Sequence, residues 1–80
     1  MAEITLYSQP GCEPCKAVAR KLDQLGAPYR KVDVTQDDAA LAHVRGLGYN
    51  TTPVTVVGEH HKHGYAPDWL KWAAEHASNP

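Results

Sequence analysis

"YSQPGCEPCKAVARKL", residues 7–22, holds both cysteines of the 80-residue chain, and only two residues separate them. Upstream, "EITLY" (residues 3–7) alternates Ile4 and Leu6 with Thr5, and its β-branched and aromatic content predicts a strand. "SQPG" punctuates. Downstream, Cys15, Val18, Leu22 and Leu25 fall at helical spacing, until Gly26 and Pro28 signal a stop. The pair therefore sits at a strand-to-helix joint. Three readings are open for it: a redox pair, half of a metal site, or two inert thiols. A Cys-x-x-Cys at this joint inside a β-α-β unit favours the redox pair.

The rest of the chain supplies that unit and completes it. "YRKVDV" (residues 29–34) predicts a second strand, and "TQDD" opens a second helix. Thr35 or Asp37 is its cap, Asp38 lies in its first turn, and Leu41, Val44 and Leu47 line one face before Gly46 to Gly48 end it. "TPVTVV" is a third strand starting on Pro53, "GEHH" a turn, and "KHGY" (residues 62–65) a short fourth strand. Pro67 and Asp68 open a last helix whose Trp69, Leu70, Ala73 and Ala77 share an inner face, with Trp69 and Trp72 read as core and rim packing. "SNP" (residues 78–80) is expected to fray.

The order β-α-β-α-β-β-α predicts an α/β fold in one domain, residues 1–80. A helix between strands favours a parallel, right-handed crossover, and the adjacent late strands form a hairpin. The result is a central four-stranded mixed sheet with helices on both faces.

Composition narrows the function. Apolar residues make up 42% and charged ones 21%, the balance of a globular domain. Net charge is −1 with no basic stripe, which gives nucleic acid no electrostatic reason to bind. No apolar run approaches the roughly 18–20 residues of a membrane span, and "MAEITLYSQ" does not read as a secretory signal. A cytoplasmic monomer is the expectation, and in that compartment a lone cysteine pair is catalytic more often than structural.

At the joint, unpaired amides and the positive end of the helix dipole face Cys12 and favour its thiolate, the species that attacks disulfides. Cys12 is thus the candidate nucleophile. Cys15, one turn deeper on the same side, is the candidate resolving thiol. Pro14 sits in the first turn and stiffens the loop between them. Lys16 is placed to favour the thiolate and Glu13 to oppose it, although solvent screens both. No cofactor is required beyond the reversible disulfide. A zinc site would need two more ligands, and of the five histidines His60, His61 and His63 cluster away from the cysteines, in a segment read as a polar turn. His43 falls on the second helix, and His76 near a helix C-terminus, where a cation suits the dipole.

With "CEPC", "LGYNTTPVTVVGEHH" and "GYAPDWL" together, nearly the whole chain resembles the thioredoxin superfamily in its short glutaredoxin-like branch. It is most similar to the NrdH-type redoxins. The resemblance implies a thioredoxin-like fold and a cis bond before Pro53, where sequence alone favours trans. It implies that Thr52 offers backbone N–H and C=O groups to an extended substrate beside Cys12, with Pro53, Glu13 and Pro14 also at the substrate. It implies electron delivery to ribonucleotide reductase and re-reduction by thioredoxin reductase.

The alternative within the class is a glutathione-dependent glutaredoxin. Against it, Gln9 replaces a basic residue, Glu13 would repel an anionic tripeptide, and "HGYAPDW" lacks a Gly-Gly pair before Asp, with only Gly64 and Asp68 as an echo. The alternative outside the class is a zinc-binding or redox-sensing module. The chain also departs from the NrdH pattern, with Lys62, His63 and Ala66 in place of Trp, Ser and Arg.

Overall fold

Ile4, Leu6 and Ser8 alternate with half-buried Thr5 and Tyr7, the period of two of a strand packed on both faces, and β1 (Ile4–Ser8) is an inner strand of the sheet. The computed structural model describes residues 3–77; the tail at 78–80 lies outside the described residues. After β1 come α1 (Glu13–Gln24), β2 (Tyr29–Asp33), α2 (Asp38–Gly46), β3 (Val54–Val57), β4 (His60–His63) and α3 (Pro67–Ala77). The sheet order is β2-β1-β3-β4. β1 runs parallel to β2, with Ile4 opposite Tyr29, and antiparallel to β3, with Leu6 opposite Thr55. β3 and β4 form an antiparallel hairpin.

Alternation along β1 and β3 divides the core in two. On one face Ile4, Leu6 and Val57 pack with Val18 and Leu22 of α1 and Leu70, Ala73 and Ala74 of α3. On the other, Val54 packs with Val34 and with Ala40 and Val44 of α2, and Tyr7, Val32 and Val56 close over them. This is the thioredoxin-like fold, a mixed four-stranded sheet with α1 and α3 on one side and α2 on the other.

Both of the first two helices stop by the same device. Gly26 donates its amide to the Asp23 carbonyl (3.1 Å) and Ala27 to the Leu22 carbonyl (3.0 Å). Gly48 and Tyr49 bond Arg45 (2.9 Å) and Val44 (3.2 Å) in the same pattern. Each motif needs a left-handed residue, and the glycines supply it at φ +67° and +96°. The second stop matters for the site, because it turns the chain at Tyr49 toward Thr52.

Three sequence expectations are refined. Asp37 caps α2, its carboxylate accepting the Ala40 amide at 3.0 Å, while Thr35 is engaged with Asp33. Ala40 and Val44 are the buried residues of α2; Leu41 and Leu47 only flank them. β4 spans His60–His63 rather than residues 62–65, because Gly58 and Glu59 alone make the turn and Val57 faces His60 directly.

Candidate active site

The apolar stripe Cys15–Val18–Leu22 seats α1 on the sheet and brings its first turn to the carboxyl end of β1. Cys12 is the N-cap of that helix, with extended backbone (φ −95°, ψ 104°), and its sulfur accepts the Cys15 amide at 3.2 Å. The Cys12 carbonyl takes the Lys16 amide (3.2 Å), and Pro14 occupies the first turn, where a missing N–H goes unnoticed. A sulfur at this position receives one of the helix's orphan amides and the positive end of its dipole.

The two cysteines form a disulfide, with Cα atoms 5.2 Å apart. Cys12 is 9% exposed and Cys15 4%, so the first sulfur is the more accessible of a well-covered pair.

On the β3 side the Thr52–Pro53 peptide bond is cis, and Pro53 is fully buried. Half-buried Thr52 directs its hydroxyl at the Cys12 sulfur, 3.6 Å away. The segment is tied to β4 and to the glycine just beyond it: the Gly64 amide donates to the Pro53 carbonyl (2.9 Å), and Thr51 Oγ1 bonds His63 Nε2 (2.6 Å). One turn earlier, the Tyr49 hydroxyl meets His61 Nδ1 at 2.7 Å.

On the β2 side a cavity of about 130 Å³ runs beside the disulfide, lined among others by Ser8, Lys16, Lys31 and Asp33. Thr35 donates its hydroxyl (2.6 Å) and its amide (2.8 Å) to Asp33 Oδ1, and these bonds hold that carboxyl below the ordinary carboxylate range. Asp33 is therefore an anion at neutral pH and no proton source for the cysteines. Lys16 and Glu13 are exposed and meet each other, Nζ to Oε2 at 3.7 Å, so their opposite fields largely cancel at the sulfur.

Cys12, Cys15, Thr52 and Pro53 are thus brought together, with Glu13, Pro14 and Lys16 on the adjoining first turn. Lys31, Asp33 and the Thr52 hydroxyl were missed by sequence reading. The first two carry no motif, and the third was legible only as the residue before a proline.

The histidines behave differently from their sequence clustering. Strand alternation sends His60 to the α3 side, against Trp72 (5.0 Å between ring centres) and His76 (5.8 Å). His61 and His63 face the other way, onto Tyr49. They are strand residues rather than a polar turn and do not converge. Among the described residues no three His, Cys, Asp or Glu side chains form a group able to hold a metal ion. Trp69 packs against the core, whereas Trp72 is 39% exposed and stacks on His76. His43 lies against Tyr7, 5.7 Å between ring centres. No helix of the described residues is long and apolar enough to cross a membrane.

The glutaredoxin family model matches residues 4–62 of the chain. The Gene 56 protein of Mycobacterium phage L5 is 39% identical over 71 residues, covering 86% of this chain and 69% of that protein. The glutaredoxin-like protein NrdH of Escherichia coli (strain K12) is 27% identical over 67 residues, covering 84% of this chain and 83% of its own. Among solved structures, the NrdH-redoxin of Escherichia coli, described as glutaredoxin-like with a thioredoxin-like activity profile, superposes with a TM-score of 0.84 at 26% identity, over 88% of this chain and 92% of that one. With the disulfide at the head of α1, these likenesses decide between the readings of the cysteine pair: the chain belongs to the glutaredoxin family of the thioredoxin superfamily, and is a thiol-disulfide oxidoreductase.

Proposed function

We propose that the protein is a dithiol electron donor of the NrdH type, with Cys12 as the attacking and Cys15 as the resolving thiol. The observation that carries the assignment of roles is the bond from the Cys15 amide to the Cys12 sulfur at the helix N-terminus. That bond and the helix dipole favour an anion on Cys12 and offer nothing comparable to the more deeply covered Cys15.

In the first step the Cys12 thiolate forms a bond to one sulfur of a substrate disulfide, and the other substrate sulfur leaves with the electron pair of the broken bond. Cys15 loses its proton and attacks Cys12, which releases the second substrate thiolate and closes the Cys12–Cys15 disulfide. Two electrons pass to the substrate, and its two thiolates take up protons from solvent. The Thr52 hydroxyl borders the Cys12 sulfur on one side, with Pro53 next in the chain and Glu13 and Pro14 on the helix, and an extended substrate segment would lie along this edge.

Ribonucleotide reductase is the proposed acceptor and thioredoxin reductase the proposed electron source. The likeness to NrdH-redoxin along nearly all of both chains supports this. One observation favours the glutaredoxin alternative: Lys31 and Lys16 border the cavity beside the disulfide and suit a carboxylate.

A coupled assay separates the two. Thioredoxin reductase with NADPH should sustain turnover, and glutathione with its reductase should not; rapid turnover on glutathione alone would reverse the assignment. Cys12→Ser should abolish disulfide reduction and Cys15→Ser should trap a mixed disulfide with substrate.

A further inference from the structure

Two side chains of β4 hold the segment that leads from α2 to Thr52. His61 meets the Tyr49 hydroxyl through Nδ1 at 2.7 Å, and His63 meets the Thr51 hydroxyl through Nε2 at 2.6 Å. We propose that His61 and His63 are positioning residues for polypeptide substrates: they fix the chain at 49–52, and with it the edge along which an extended disulfide-bearing segment lies beside Cys12. This rests on the proposed lie of the substrate along Thr52 and Pro53. It gives a use to histidines that sequence alone left in a polar turn.

Strand register explains why both rings reach. Val56 pairs with His61 and Val54 with His63, so the two histidines share one face of β4, on the α2 side of the sheet. The glycine stop of α2 turns Tyr49 onto that face. Its ring stands edge-on to His61 (5.4 Å between centres, 80° between planes) and stacks on His63 (5.6 Å, 17°). Tyr49 is thus gripped by both histidines, and the Thr51 bond adds a second point two residues on. Backbone bonds flank this stretch, from the Tyr49 amide to the Val44 carbonyl (3.2 Å) and from the Gly64 amide to the Pro53 carbonyl (2.9 Å). The Thr51 bond falls between them, where the chain bends rather than running as a strand.

A polypeptide laid along an edge loses binding free energy to the ordering of whatever part of that edge is loose. Pins already in place remove this cost for a substrate that needs several groups in register. A small disulfide needs only the Cys12 sulfur and gains nothing from them. The two substrate classes should therefore respond differently when the pins are cut. Neither histidine exchanges a proton or an electron with substrate. A hydroxyl both donates and accepts, so each bond forms with either imidazole tautomer. An amide also offers a donor and an acceptor, and Asn carries it near the place of Nδ1, Gln near that of Nε2.

Reduced protein is mixed with insulin or with hydroxyethyl disulfide, and the second-order rate of thiol loss is measured. His61→Ala, His63→Ala, Tyr49→Phe and Thr51→Val are each expected to slow the insulin reaction about threefold to tenfold and to leave hydroxyethyl disulfide unchanged. His61→Asn and His63→Gln should recover the insulin rate. Thr51→Val combined with His63→Ala should be no slower than either alone, since both remove one bond. Tyr49→Phe and Thr51→Val keep the side-chain shape and serve where alanine disturbs folding, which far-ultraviolet circular dichroism reports. Nitrogen-15 relaxation at residues 50–52 follows the segment itself. Wild-type insulin rates with a segment that stays rigid overturn the role of the histidines. A loosened segment with wild-type insulin rates overturns instead the substrate edge on which the proposal rests. Equal slowing of both substrates would place the effect at Cys12 and overturn the proposal as well.

Discussion

The Cys15 amide nitrogen stands 3.2 Å from the Cys12 sulfur, so the second cysteine of the pair meets the first through its backbone as well as through its thiol. The bond exists because Cys12 occupies the cap position, where a side chain normally satisfies the amide two or three residues on. In most helices that acceptor is an oxygen. Here it is sulfur, and the stabilisation that a cap brings falls on the reactive atom. In the reduced protein Cys12 should therefore alkylate first, and at lower pH than free cysteine. Mass spectrometry of singly modified protein across pH checks both the order and the midpoint.

Core truncation should be costly on the helix that carries the pair. Leu22 is fully buried among Ile4, Leu6, Val18 and Leu70. Leu22→Ala is expected to destabilise the fold by about 2–4 kcal/mol, read from urea unfolding, since the core of an 80-residue chain has few neighbours able to fill the space.

Two glycines should respond with opposite sign to the same substitution. A Cβ at Gly26 or at Gly46 meets nothing within 4 Å, so crowding is irrelevant at both. Gly26 is left-handed (φ +67°), and Gly26→Ala should destabilise by about 1 kcal/mol. Gly46 is the last residue of α2, and Gly46→Ala should stabilise by about 0.5–1 kcal/mol by restricting the unfolded chain. Paired thermal melts decide it.

Acid sensitivity should include a contribution from Asp33. The Thr35 hydroxyl, and then its amide, lower the folded-state carboxyl below its ordinary value. A lowered group stabilises the fold above the unfolded value and loses that stabilisation as pH falls through the folded one. The stability difference between wild type and Asp33→Asn should accordingly be present at pH 7 and shrink below about pH 4. A difference in urea midpoint that does not change with pH would remove Asp33 from the acid response.

How far the sequence carries the fold depends on the type of signal. Ile4 and Leu6 alternate, Cys15, Val18 and Leu22 repeat at helical spacing, and Gly26 and Gly48 punctuate. Each is a local preference of a few neighbouring residues, and each is realised where the spacing placed it. β4 was displaced because histidines carry no strong preference for strand or turn, and the pairing of Val57 with His60 decided their state. Thr35 and Asp37 were equivalent as caps in sequence, until Asp33 engaged Thr35 and left Asp37 to the helix.

The sequence by itself determined the order of elements, the location of the cysteine pair at a helix start, and hence the class of chemistry, because these depend on contacts within a turn or two of chain. The tertiary structure alone decided that the Thr52 hydroxyl reaches Cys12, that Lys31 and Asp33 border the same disulfide, and that three neighbouring histidines part to opposite sides of the sheet. Those relationships join residues 12 to 40 positions apart. They arise only when strand pairing fixes the register and the pleat fixes which way each side chain points.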